Sequence, residues 1–329
     1  MAPGTSSGVK VALGLTGVAL VVAVGVASLG PGRADLAPAR RPLPASPEPA
    51  SDDPGSSPDA AAGSQGSSRE AAEQPAGDGR AASTAEVLTA RRHRAYRRGA
   101  RALGELSAQS THSGLALSMI ANRFGVRRFG ALRVTCPDTD ARASSDGLQI
   151  EAFRRICDPD YVVAAEVIRG LGNGIDRVTA AALHCDHTPL GEDFHEQLQA
   201  LLASDDREAA VHSGLALTWL AENGCAVDGR RQLESTALSR LQRELDDNAD
   251  DPSIEAAVFL SLLGRRDLIH ERFVELVLDL QRPDGGWPMA GRRAGPDAGS
   301  HWHTTFLAVW LMLELDREPK GGTLARAGR

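Results

Sequence analysis

Thr111-His112-Ser113-Gly114-Leu115-Ala116-Leu117 returns further along the chain as Val211-His212-Ser213-Gly214-Leu215-Ala216-Leu217, and in looser form as Trp302-His303-Thr304-Thr305-Phe306-Leu307-Ala308. Self-similarity at a fixed interval marks a repeat architecture, in which each unit buries its apolar face against its neighbours. Two apolar stretches of like character lie between these copies: Tyr161-Val162-Val163-Ala164-Ala165-Glu166-Val167 and Ile254-Glu255-Ala256-Ala257-Val258-Phe259-Leu260. The starts fall near residues 112, 161, 212, 253 and 303, a period of about 40–50 residues. Each apolar helix comes after a more amphipathic one, such as the segment Leu233 to Leu245 before Ile254. A helix apolar on most sides belongs inside and an amphipathic one outside. Alternation at this period predicts a ring of helical hairpins, closed or nearly closed. The spans read as helices are 86–108, 112–124, 148–157, 161–171, 175–185, 192–204, 207–223, 230–246, 253–263, 266–281 and 302–316, separated by Gly, Pro and Asp clusters. No run of β-branched residues alternates with period two, so no strand is expected.

One stretch resembles a known family. Gln281-Arg282-Pro283-Asp284-Gly285-Gly286-Trp287 is similar to the Q-x-x-D-G-G-W repeat of the squalene–hopene cyclase group. In that group the Gln and Trp tie neighbouring helices at an outer-to-inner turn. His303-Thr304-Thr305, with the apolar helix after it, resembles the segment that succeeds such repeats. It is also similar to the Y-H-T-x-Y stretch of protein prenyltransferase β subunits, whose His binds zinc. Asn248-Ala249-Asp250-Asp251 partly matches the cyclase D-x-D-D acid motif, with Asn in place of the first Asp. The clear match covers about 40 residues at the C-terminus, and the repeat spacing extends it over most of 86–316. The resemblance implies an all-α chain of the α/α-toroid type. It implies His303, Asp250 and Asp251 as candidate catalytic groups, with His303 as a metal ligand and zinc as the metal. The implied ligand is a lipid or isoprenoid.

In such a ring all inner helices run the same way, so their N-termini share one mouth. His112, Asp160, His212, Asp251 and His303 stand there, with Trp302 beside them; His112, Asp160, His212 and Trp302 are the expected ligand-binding residues. Helix N-termini favour anions, and three His with two Asp suit metal binding or proton transfer. The structural alternative is that Asp160, Asp251, Ser113, Ser213 and Thr304 cap helices while the histidines bond between hairpins. A second cluster, His184-Cys185-Asp186-His187 with His195, has metal-ligand character but falls in a loop marked by Pro189 and Gly191. A third is basic: Arg91, Arg92, Arg94, Arg97, Arg98 and Arg101 around Tyr96, read as a solvated face of the first outer helix, with anionic lipid or polymer as the other reading.

The rest bounds the function. From Val11 to Gly32 no residue is charged. At ~1.5 Å per residue such a run spans a bilayer core. Lys10 precedes it and small residues around Gly25-Val26-Ala27 offer a cleavage site, but the run exceeds the h-region of a signal peptide, so residues 1–30 read as an anchor. Residues 31–84 hold only Leu36 and Leu43 as large apolar groups and read as a disordered linker, reaching roughly 40 Å. Arg33, Arg40 and Arg41 argue for a cytoplasmic C-terminal side; the short N-tail and the long spacer argue for an extracytoplasmic one, which is preferred. Residues 85–318 form the toroid and 319–329 a disordered tail. Four cysteines, Cys136, Cys157, Cys185 and Cys225, allow up to two disulfides whose pairing the sequence leaves open. A net charge of −7 gives no reason to expect nucleic acid. With only four Trp, two Tyr and seven Phe, the chain is poor in the aromatic faces with which cyclases stabilise carbocations. The alternatives to a lipid- or isoprenoid-binding toroid are a non-catalytic scaffold or protein-interaction module of the same fold and, last, an α/α-barrel resembling polysaccharide lyases.

Overall fold

A computed structural model of the chain describes residues 83–325 apart from 109, 111 and 138–144. The expected anchor and nearly all of the expected linker lie outside these residues. Among the described residues no helix is long and apolar enough to cross a membrane.

The fold is all-α. Ser83 opens the first helix with a reciprocal capping box, its hydroxyl accepting the Glu86 amide while the Glu86 carboxylate accepts the Ser83 amide, which satisfies donors the helix start leaves free. Helix α1 is Thr84–Ser107 and α2 is Ser113–Phe124, closed by Gly125 in the left-handed conformation. A small hairpin comes next, β1 (Arg128–Phe129) against β2 (Leu132–Arg133), where no strand is expected from the sequence. After it come α3 (Ser145–Phe153), α4 (Ala165–Gly170), α5 (Gly174–Leu183), α6 (Phe194–Ala203), α7 (Arg207–Glu222), α8 (Arg230–Glu244), α9 (Asp251–Leu262), α10 (Glu271–Asp279) and α11 (Trp302–Asp316).

The layering reflects composition. Helices α7, α9 and α11 are apolar nearly all round and almost wholly buried. They stand side by side, with α5 beyond α7 and α2 against α11. Helix α8 buries only Leu233, Ala237, Leu241 and Glu244, a single stripe, and covers α7 and α9 from outside. Helix α6 covers α5 and α7, and α1 lies along α11, so the first and last helices meet.

The buried helices run parallel, because their C-terminal ends share partners. Arg123, at the end of α2, binds Glu314 at the end of α11. Asn223, which caps α7, donates to the carbonyls of Ala182 and Leu183 at the end of α5. Arg266, just beyond α9, also binds Glu314, at 3.0 Å. The N-termini of α2, α5, α7, α9 and α11 therefore lie together at the opposite end.

The motif at 281–287 works as a tie. The Gln281 amide donates to the carbonyls of Ala95 on α1 and Gly285, both at 2.8 Å. Trp287 is fully buried; its indole donates to Val277 at 2.6 Å and its amide to Thr305 Oγ1 at 3.0 Å, joining α10 to α11. A Cβ on Gly99 would lie 2.7 Å from the Trp287 ring, so only glycine lets α1 come this close.

Three expectations need correction. The stretch 161–171 is not an inner helix: only Ala165–Gly170 is helical, and Val162 is exposed. The interior place goes to α5, whose Ile175, Val178, Ala182 and Leu183 are buried. β-Branched residues beside Pro159 and Asp160 favour extended backbone in the YVV run, against its apolar pattern. The expected helix 266–281 is a short 3-10 turn and then α10. The tail is packed as far as Ala325: Thr323 is fully buried, its amide donating to Glu222 at 2.8 Å and its hydroxyl accepting the Trp219 indole at 3.0 Å.

All four cysteines are paired, Cys136 with Cys157 and Cys185 with Cys225.

Candidate functional site

At the end where the buried helices begin, α9 and α11 bring three metal-ligating side chains together. Asp250 caps α9, its carboxylate accepting the Ser253 amide at 3.3 Å, and this leaves Asp251 as the first helical residue, aimed at α11. His301 caps α11 by accepting the Thr304 amide through its ring, and His303 stands in the first turn. His303 Nδ1 donates to Asp251 Oδ2 at 2.7 Å. The Thr304 hydroxyl donates to Asp251 Oδ1, and His301 Nδ1 stands 3.8 Å from that oxygen. One ligand atom from each of Asp251, His301 and His303 lies within 4.8 Å of the others. The Nε2 atoms of both histidines are buried without a hydrogen-bond partner. Burial alone would raise the Asp251 carboxyl; attraction to the adjoining His303, the nearby His301 ring and the hydrogen bonds from His303 and Thr304 outweigh it and hold the group far below the usual carboxylate range.

The loop before α9 is rigidly placed. Asn248 accepts the Arg292 amide on its carbonyl at 2.9 Å and the Arg293 amide on its side chain at 3.1 Å, and the Asp251 amide donates to Met289. Ala249 is held at φ 47°, a conformation rare for a side-chain-bearing residue. Asn248 is therefore a structural residue where the cyclase motif has an acid.

A second buried group adjoins the first. His212, in the second turn of α7, has Nε2 3.4 Å from Glu255 Oε1 on α9, an ion-pair contact that falls short of hydrogen-bond geometry. Its desolvation would lower its pKa; attraction to Glu255, then Glu208 and Asp176, reverses this and lifts it to about 9. Glu208 is pushed up to about 7 by burial, with His212 opposing and Glu255 adding to the rise.

The expected residues thus divide. His303 and Asp251 meet directly. His212 is adjacent, one turn deeper than expected because α7 begins at Arg207. His112 caps α2 at the same end and is buried, and Trp302 packs its ring against His303 at 5.5 Å. Asp250 does not join them: Arg207 at 2.9 Å, Asn248 and Ser253 occupy its oxygens. Asp160 is exposed in a turn before α4 and far in sequence from any buried helix start. His301, Glu208, Glu255 and Asp176 join the site without having stood out in the sequence. Glu255 did carry a signal, a lone acid inside an otherwise apolar stretch, and His301 made a His-x-His pair.

The loop at 184–187 is otherwise occupied. His184 is fully buried, bonded to the Ala152 carbonyl at 2.9 Å, and burial lowers it to about 4. Cys185 is in a disulfide and Asp186 grips Arg155.

Comparison with protein-family models, with curated proteins and with solved structures finds no match. The reading of the site rests on its own geometry.

Proposed function

We propose that the chain is a membrane-tethered α/α toroid that holds zinc on Asp251, His301 and His303 and receives a lipid or isoprenoid-type ligand where its buried helices begin. The observation that carries this is the convergence of a carboxylate and two imidazoles from two helices, with two buried Nε2 atoms left over. Such a donor set suits zinc, which favours nitrogen and carboxylate ligands and, with three protein ligands, keeps a position open. Zinc bound there would supply Lewis-acid polarisation or an activated water or thiol. The protein's own part is to position: Thr304 orients Asp251, and the rigid 248–250 loop fixes the start of α9. Trp302, Phe306 and Trp310 form a file along α11, with ring centroids 6.4 and 5.4 Å apart, that runs from the start of the helix into the core. The apolar run at 11–32 supplies the tether. Two disulfides support an extracytoplasmic domain, since such bonds persist in oxidising compartments.

One observation favours a second reading, a non-catalytic scaffold. Asp251 and Thr304 already join α9 to α11, and Phe259, Phe306, Trp219 and Trp310 are fully buried in the core. Elemental analysis of the full chain purified in detergent separates the two. The zinc reading expects about one zinc per chain, lost in Asp251→Asn and His303→Gln variants that still fold. No bound zinc, and no rise in Tm when zinc is added, would leave the scaffold.

A further inference from the structure

Helix α1 and the hairpin carry arginines that the fold does not use. Of the six arginines of α1, Arg91 pairs with Asp279, Arg92 with Asp316, and Arg98 donates to the Arg282 and Pro283 carbonyls. Arg94, Arg97 and Arg101 are exposed, and among the described residues none of them has an ion-pair partner; Arg97 and Arg101, one turn apart, are the two nearer the hairpin. The hairpin stands directly beside them, since a Cβ on Gly130 would lie 3.5 Å from the Arg101 Cα and one on Gly104 only 2.3 Å from the Phe129 carbonyl.

The hairpin is built in register with Arg128 opposite Arg133 and Phe129 opposite Leu132. Side chains alternate across a strand, so with Phe129 fully buried the two arginines occupy the outer face, side by side. Like charges placed directly opposite on a strand pair destabilise it. A two-stranded ribbon this short gains nothing from that pairing, and neither arginine has a carboxylate partner among the described residues. On α1, Glu105 stands one turn after Arg101 and among the described residues forms no ion pair; Asp138 and Asp140, the acids that come after Arg133 in the chain, lie outside the described residues. A chain of net charge −7 thus gathers on one face four arginines with no ion-pair partner among the described residues.

We propose that Arg97, Arg101, Arg128 and Arg133 seat the domain on anionic lipid headgroups. Guanidinium groups in pairs match phosphate oxygens bidentately, and a membrane surface offers phosphates in two dimensions, as this patch does. The choice of lipid over another polyanion rests on the proposed tether: the apolar run at 11–32, joined to α1 by a linker of roughly 40 Å reach, would hold the domain within reach of the bilayer.

The test uses the full chain inserted in vesicles. All four cysteines are paired, so Ala131→Cys, exposed at the hairpin tip, accepts a single fluorophore. Quenching by headgroup-spin-labelled lipid then reports contact between hairpin and membrane. Quenching should appear in vesicles containing phosphatidylglycerol, be weak in phosphatidylcholine alone, and fall as salt rises. Arg128→Gln with Arg133→Gln should lower the docking equilibrium constant by about fivefold for each arginine removed. Equal quenching in both lipids, or quenching indifferent to the double replacement, overturns the proposal. So does its abolition by inorganic phosphate at constant ionic strength, which would mark a free-phosphate site. Co-flotation of the chain with phosphatidylcholine vesicles reports the tether separately, so loss of the tether and loss of docking are distinguishable.

Discussion

Trp287 shows how much one side chain can hold. Its ring fills the space Gly99 leaves on α1, its indole bonds α10, and its amide bonds α11. Trp287→Ala should cost about 3–5 kcal/mol in urea unfolding at constant m-value, the usual penalty for a lost buried aromatic. A shift under about 1 kcal/mol would contradict the tie. This residue was legible because the D-G-G-W turn surrounds it. His212 was only half legible: its place near a helix start showed in the repeat, but not its charge. Its folded pKa lies above the unfolded value, so its contribution is complete below about 6.5 and is lost as pH rises through about 9. Glu208 acts in the same direction at lower pH, its stabilisation fading as pH climbs from about 4.5 through about 7. Stability should therefore decline from near-neutral toward pH 9. The His212→Gln variant, though less stable throughout, should lose the part of the decline above about pH 6.5. Unfolding midpoints across that range check this, and an unchanged slope would show that His212 does not hold a proton there.

Helix α11 packs against α1, α2 and α9, and Glu314 near its end shows the cost of holding several elements at one point. Fully buried, it accepts from Arg123, from Arg266 at 3.0 Å and from the Trp310 indole at 2.9 Å. Removing its carboxylate would strand two guanidinium groups, so Glu314→Ala should destabilise by about 3–5 kcal/mol. The measurement is chemical denaturation, and replacing Glu314, Arg123 and Arg266 together with apolar groups should cost much less than this. Helix α1 is limited differently. Gly99→Val would push a branched side chain into Trp287 and Val309, a Cβ already lying 2.7 and 2.8 Å from them. A loss of about 1–3 kcal/mol is expected, with part of it recovered when Val309→Ala is added, since the Trp287 ring remains in the way. Most helices were legible because apolar periodicity is local. The stretch 161–171 was not, because its apolar residues fit a helix pattern while its position outside α5 is decided by packing. The short hairpin escapes sequence reading for a related reason: two residues per strand leave no period to read.

At the scale of the molecule, two disulfides and a meeting of chain ends close the described fold. The Cys185–Cys225 bridge fixes the end of α5 to the end of α7 across a separation of 40 residues, and Cys136–Cys157 fixes the loop beyond the hairpin to the turn that ends α3 across 21. Reduction should lower stability by about 2–4 kcal/mol for each bond, read as the difference in urea midpoint with and without a thiol reductant. No change would mean that the reduced chain keeps the same restriction by packing alone. The sequence alone determined the helical class, the alternation of apolar and amphipathic helices, the tie at 281–287 and the gathering of helix starts, because each depends on periodicity or on short-range turn chemistry. Only the tertiary structure decided which helix fills the second inner place, that His301 rather than Asp250 completes the group around Asp251, how the cysteines pair, and that Arg128 and Arg133 stand with Arg97 and Arg101. Those outcomes depend on distances between residues remote in the chain. A linear pattern carries no measure of such distances until the helices have packed.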